Sequence, residues 1–309
     1  MKTMQALIAR ERGGPEQLHV ETVPVPTANP HEVLVEVHAA AITFAELSWD
    51  ETWTHIPTVP SHEVSGVVVA RGASVQDVEV GAEVFGLIAF DRPGAAAEYA
   101  TIPASDLALR PRSVSHVVAA AVPLAGLTAW QALHDQAALE PGERVLVLGG
   151  TGGVGAFAVQ LASHAGARVT ASVLGDASVP IARGLGADEV IDVATNGLDA
   201  AAPGFDVVLD TVGGDTLARA YALVRPGGRL VTLQAPPSKE EAYRHGITAT
   251  FFIVRPDHAQ LGRLASLVNS GALQVTIAAT FDLADGRAAF ESGRTWDRPP
   301  GKTVLVVRP

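Results

Sequence analysis

The sequence predicts a two-part α/β protein in which a doubly wound parallel sheet interrupts a split, β-rich outer part. Three observations carry this. Residues 17–102 hold short alternating or apolar runs broken by Gly, Pro and Asp. Residues 144–254 alternate short apolar strands with helical stretches, and after Pro256 that rhythm stops. The length of 309 residues suits about two domains. With 48% hydrophobic residues, 30 Gly and 20 Pro, the chain is globular rather than low-complexity.

In the outer part, Gln17–Val23, Glu32–Ala39, Val64–Arg71, Glu83–Ala89 and Ala97–Ile102 read as strands. Val33, Val35 and Val37 share one face at period two. Ser113–Leu139 is rich in Ala and Leu and predicts helices. Its apolar core, Val114–Leu133, contains His116, Pro123 and Gly126, so it reads as a buried helix pair rather than a membrane span. Val145-Leu146-Val147-Leu148 is a continuous apolar run, the signature of a parallel strand buried on both faces. A helix over Ala156–Ala165 follows, then strands at Arg168–Val173, Glu189–Val193, Phe205–Leu209 and Arg229–Leu233. Leu217, Ala220, Tyr221 and Val224 have helical spacing, and Pro226-Gly227-Gly228 is expected to end that helix. Thr250–Val254 supplies a last strand. The tail predicts a helix through Leu261, Leu264, Leu267 and Val268, a strand at Gln274–Phe281, a short helix at Ala284–Gly293 and a strand at Thr303–Val307. The expected division is therefore 1–124 completed by 256–309, with 125–255 inserted.

Composition narrows the chemistry. The cysteine count is zero, which removes disulfides, thiolate metal sites and cysteine nucleophiles together. The net charge is −11, from 22 basic and 33 acidic residues, and no basic run interrupts it. Phosphate backbones and anionic membranes repel such a chain, so neither nucleic acid nor membrane is an expected partner. The start, Met1–Gln5, lacks the apolar stretch of a signal peptide, and a cytoplasmic location is expected.

The sharpest motif follows the 145–148 strand and opens a helix: Gly150, Thr151, Gly152, Gly153, Val154 and Gly155 satisfy G-x-G-x-x-G. Glycine permits a tight turn and close backbone approach to a pyrophosphate, whose charge the helix N-terminal amides meet. A dinucleotide is the expected cofactor. NAD readers place an acid at the end of the second strand, but Arg168–Val173 has none there. Ser172 would leave room for a 2′-phosphate and donate to it, so NADP is expected. Asp176, a few residues on, keeps NAD open. Rival motifs fail: Gly301-Lys302-Thr303 lacks the first glycine of a P-loop, His62-Glu63 lacks a second zincin histidine, and no G-x-S-x-G is present.

With these features the chain resembles the medium-chain dehydrogenase/reductases, and among them the zinc-independent quinone oxidoreductases of the ζ-crystallin type. The landmarks run in order: Met4–Leu7, Glu32–Val37, Pro60–Val68, Gly126–Trp130, the glycine motif, Gly186–Asp192, Asp210–Gly214, Pro226–Leu230 and Gly301–Leu305. The resemblance implies a GroES-like catalytic domain, a Rossmann domain and NADPH. It places Thr128 near the nicotinamide, the Thr151–Val154 turn at the pyrophosphate, and Val212, Leu233, Ala235, Phe252 and Ile253 at nicotinamide and ribose contacts. It also implies a homodimer through the Rossmann sheet edge. Zinc relatives carry a catalytic cysteine and a four-cysteine lobe; this chain has neither, while His62 keeps the position of a zinc-binding histidine, so no metal is expected. Thr43 stands where such reductases usually have Asn, Glu46 where they have Asp, and Ser61 where Gly precedes the histidine.

The expected reaction is hydride transfer from NADPH to a small electrophile, a quinone or an α,β-unsaturated carbonyl, including one from specialised metabolism. Without a metal, hydrogen bonds must stabilise the developing oxyanion. Thr43 is the first candidate donor. Glu46 would orient it or relay a proton, and His62, Trp49, Trp53, His55 and Phe90 would wall the substrate. A carbonyl reductase and a nucleotide-binding structural or regulatory protein with little turnover are the alternatives.

Overall fold

The computed structural model describes residues 2–294 and 299–308. The chain forms two compact units. The outer unit comprises Met1–Leu127, Arg255–Gly271 and Val275–Pro309; the second comprises Thr128–Val254 and Ala272–Gln274. The three-residue return belongs there because Gln160 on helix Gly153–His164 clamps it: the Gln274 N–H donates to Gln160 Oε1 (2.7 Å) and Gln160 Nε2 donates to the Gln274 carbonyl (3.1 Å).

The strands, in chain order, are β1 (Thr3–Ala9), β2 (Leu18–Pro24), β3 (Glu32–Ile42), β4 (Glu63–Arg71), β5 (Glu83–Leu87), β6 (Tyr99–Pro103) and β7 (Leu107–Leu109). There follow β8 (Arg144–Leu148), β9 (Arg168–Val173), β10 (Glu189–Asp192), β11 (Phe205–Asp210), β12 (Val224–Thr232) and β13 (Thr248–Phe251). Last come β14 (Ile277–Asp282) and β15 (Lys302–Val306).

In the outer unit the sheet order is β14-β15-β3-β4-β5-β7, with β6 also paired to β3, while β1 and β2 form a separate antiparallel ribbon. The expected alternation in β3 holds: Val33, Val35 and Val37 are fully buried among Val64, Val68, Val84, Ile102 and Leu107. The longest strand is central, and its end positions the site. β3 runs antiparallel to β4 and β15, pairing Ala41 with Glu63 and Ile42 with Thr303. The carboxyl end of β3 therefore meets the amino ends of β4 and β15. Helix His258–Asn269 is capped by Asp257, which accepts from the Gln260 N–H (2.9 Å), and buries Leu261, Leu264, Ala265 and Val268 at 3.6-residue spacing.

The second unit is a six-stranded, wholly parallel sheet in the order β10-β9-β8-β11-β12-β13. Chain direction reverses its lateral progress beside β8, the topological switch point of a doubly wound sheet. Val145 to Leu148 are fully buried, as a strand covered on both faces requires.

Three local expectations change. β1 was not among the expected strands, because Thr3–Ala9 buries both faces rather than alternating cleanly. Pro226-Gly227-Gly228 does not end a helix but lies within β12: Phe205 pairs with Val224 and Val207 with Arg229, so residues 225–228 loop out of the register. β13 stops at Phe251, leaving Phe252 and Ile253 beyond the strand. Among the described residues no helix is long and apolar enough to cross a membrane.

Candidate active site

The second unit offers a site made of backbone. The turn between β8 and helix Gly153–His164 carries Gly149 at φ +78°, a conformation that favours glycine. A Cβ on Gly155 would lie 2.0 Å from the Gly149 carbonyl oxygen, so helix and strand approach too closely for any side chain. At Gly153 the same atom would meet nothing within 4 Å. Glycine is thus enforced by packing at Gly155 and leaves an open approach at Gly153. Gly152 starts the helix with no side-chain cap, which leaves first-turn amides for a ligand. These features fit a pyrophosphate.

The parallel sheet gathers other expected contacts at its carboxyl edge. Val212 follows β11 and is 50% exposed; Leu233 and Ala235 follow β12; Phe252 and Ile253 follow β13, with Ile253 57% exposed. Asp210 organises this edge, a role the sequence did not reveal. Fully buried at the end of β11, it accepts from the Val212 and Gly213 N–H groups (3.0 and 2.9 Å) and from the Thr232 hydroxyl (2.9 Å). Thr128 is not part of the strand-end set; it is buried on helix Pro123–Trp130.

Ser172 needs correction as a phosphate donor. It is 3% exposed, and its hydroxyl accepts the Gly149 N–H (3.2 Å), so it braces the glycine turn from inside the sheet. The tip beyond it is set instead by Asp192, whose Oδ1 accepts from Gly175 (2.8 Å) and Ala194 (3.0 Å). The Thr195 hydroxyl donates to its other oxygen, and these bonds hold the Asp192 carboxyl below the usual range. Asp176 is exposed at this tip, and no basic residue occurs between Arg168 and Arg183. A hollow of about 350 Å³ lined by Arg144, Arg183, Asp188 and Phe205 lies at the amino ends of the same strands, away from the turn.

The outer unit offers a site made of side chains. Glu46 lies on a short turn just after β3, and His62 just before β4; both are buried. Glu46 Oε2 accepts the Ser61 N–H (3.0 Å) and lies 3.0 Å from His62 Nδ1, while His62 Nε2 faces the Arg92 carbonyl (3.3 Å). Ser61 has φ +68°, which explains why glycine suits that position. Glu46 Oε1 and Ser61 Oγ are buried without a hydrogen-bond partner among the described residues. Phe90 meets both His62 and Trp49 edge-on, with centroids 5.3 and 5.1 Å apart. Trp53 packs with the Leu7 and Leu47 core and donates to the Leu47 carbonyl (3.0 Å), and His55 is exposed, so neither joins this aromatic group.

Thr43, half-buried at the end of β3, has an unexpected neighbour. Lys302 Nζ lies 3.5 Å from Thr43 Oγ1 and makes a close ion pair with Glu63 Oε2. Glu63 is 1% exposed, and its other oxygen accepts the Leu124 N–H (3.0 Å). Burial pushes the Glu63 carboxyl up, and the Lys302 ammonium opposes that shift. The sequence signal for this pair was faint but present: only three of the 22 basic residues are lysine, and Lys302 opens an apolar strand. Among the described residues no three His, Cys, Asp or Glu side chains converge as a metal would require.

Comparison with known proteins supports the architecture. Residues 29–112 match the "Alcohol dehydrogenase GroES-like domain" family, and residues 185–305 match the "Zinc-binding dehydrogenase" family. A "Probable zinc-binding oxidoreductase, mitochondrial" of Arthroderma benhamiae is 32% identical, covering 94% of this chain and 92% of its own. A chloroplastic "NADPH-dependent alkenal/one oxidoreductase" of Arabidopsis thaliana is 34% identical over 75% of this chain and 63% of its own. The solved quinone oxidoreductase of Coxiella burnetii superposes with a TM-score of 0.92 at 28% identity, over 99% of this chain and 100% of that one. A glycine turn between strand and helix, a GroES-like outer unit and this range of relatives place the chain in the medium-chain dehydrogenase/reductase superfamily, to which it belongs.

Proposed function

We propose that the protein is an NADPH-dependent reductase of quinones or α,β-unsaturated carbonyls that works without zinc. The observation that carries the reading is the Gly149–Gly155 turn, where packing demands glycine at Gly155 and leaves backbone approachable at Gly153. The acceptor class rests on the alkenal/one and quinone oxidoreductases among the relatives. When bound, the dinucleotide supplies a hydride to the acceptor carbon. The acceptor's π electrons then move onto its oxygen, and a proton from water completes the reduction. Thr43 donates its hydroxyl to that oxygen as charge builds, and Glu46 fixes the His62 ring. Thr128, Val212, Leu233, Ala235, Phe252 and Ile253 are the proposed cofactor contacts.

The donor set supports zinc-free operation despite the name of the matching family. There is no cysteine, the His62 Nδ1 is engaged by Glu46, and both Glu63 oxygens are engaged by Lys302 and Leu124. A cytoplasmic location and a homodimer joined along the β13 edge belong to the same proposal. Use of NADH is the second reading, favoured by exposed Asp176 and by the inward-facing Ser172.

The test is oxidation of NADPH and NADH, followed by absorbance, with 1,4-naphthoquinone and an alkenal as acceptors. Turnover with NADPH well above NADH is expected. Higher kcat/KM with NADH overturns the cofactor assignment, and no oxidation above background with either acceptor overturns the activity.

A further inference from the structure

We propose that Lys302 is a positioning residue for this reduction, a buried cation that turns the Thr43 hydroxyl toward the acceptor's oxygen. The inference deepens the reading above and rests on it. A lysine ammonium carries three donors and no acceptor. Beside it, Thr43 Oγ1 presents a lone pair, and the hydroxyl proton points elsewhere. At 3.5 Å the contact is long for a hydrogen bond, so its effect is chiefly electrostatic. A fixed positive charge behind the hydroxyl strengthens it as a donor, and in a buried site that influence is weakly screened.

Lys302 is held in place rather than tethered loosely. Glu63 pairs with it from the amino end of β4, Thr43 sits at the carboxyl end of β3, and Lys302 opens β15; the three strands are neighbours. Glu63 is itself fixed through the Leu124 N–H. A buried ion pair is a poor stabilising device, since apolar residues of similar volume commonly serve as well. Its presence against a half-buried hydroxyl points to a role in chemistry.

The test begins with the double variant E63Q/K302M, which removes both charges and leaves no unpaired ion. Its kcat is expected to fall about 10- to 100-fold with KM within about threefold, as for loss of an interaction made in the transition state. In a Thr43→Val background the same pair of changes should cost less than about threefold, because the hydroxyl they act through is gone. Lys302→Arg, which keeps the charge, is expected to retain turnover within about fivefold. Wild-type kcat in folded E63Q/K302M, or a full further loss in the Thr43→Val background, overturns the proposal. A second readout needs no turnover: 4-nitrophenol bound with NADP should ionise at lower pH than in solution, and Thr43→Val should abolish that shift. Equal ionisation in wild type and Thr43→Val likewise overturns it. Failure of the wild type to oxidise NADPH would instead remove the functional reading and leaves the phenol result standing on its own.

Discussion

The two candidate sites are built in opposite ways. In the second unit, the glycine turn is contiguous, uses main-chain groups, and owes its shape to the absence of side chains. In the outer unit, Thr43, Glu46, His62, Glu63 and Lys302 come from three strand ends, and Lys302 lies 239 positions from its partner Glu63. A backbone site is fixed by local sterics. A side-chain site is fixed by sheet register and by buried electrostatics. The two should therefore fail differently.

The largest effect is expected at Gly155. Gly155→Val puts a branched side chain where even a Cβ lies 2.0 Å from backbone that cannot give. A loss of about 3 kcal/mol or more, and of detectable NADPH binding, is expected in melting and fluorescence titration. Gly153→Ala sharpens the contrast: with nothing within 4 Å, it should cost under about 1 kcal/mol of stability while weakening nucleotide binding. A stable, nucleotide-binding Gly155→Val protein would break the claim that packing dictates this turn.

Next comes Glu46→Ala, which strands the Ser61 N–H and the His62 ring in a buried site. A cost of about 2–4 kcal/mol is expected in urea unfolding. A change below about 1 kcal/mol would mean that the outer site is held by packing alone.

The smallest effect separates the units by pH. His116 stacks on His38 (4.4 Å), hydrogen-bonds Ser65 Oγ through Nδ1 (2.8 Å), and has its pKa lowered from 6.5 to about 4. Desolvation is the main cause, aided by His38 and Arg110 and opposed by Glu83. The unfolded state therefore binds the proton first, so this contribution is complete above pH 6.5 and declines as pH falls toward 4. Roughly 1–3 kcal/mol is at stake. Asp192 in the second unit is depressed instead, so its contribution is lost only below the ordinary carboxylate value. Stability measured from pH 7 to 4 should fall more steeply for the wild type than for His116→Asn; parallel curves would remove His116 as the cause.

Much of the fold was legible because its signals are local. Val33, Val35 and Val37 alternate, Val145–Leu148 runs apolar, and Gly150–Gly155 has its spacing within one turn of chain. Two failures and one omission show the limit. Ser172 looked like a strand-tip donor, yet it turns inward to brace Gly149. Pro226 looked like a helix stop, yet a register shift accommodates it inside β12. Rejection of a P-loop at Gly301-Lys302-Thr303 left Lys302 without an assigned role, and the fold makes it the buried partner of Glu63.

By itself the sequence determined the parallel sheet, the glycine turn, the absence of thiolate chemistry and the family resemblance, because periodicity, steric permissiveness and composition are properties of neighbouring residues or simple counts. Only the tertiary structure decided that Glu46 engages His62, that Asp210 and Asp192 hold the strand-end loops, and that Lys302 stands behind Thr43. Those contacts depend on which strands lie side by side and in what register, and on the high cost of burying a charge without its partner.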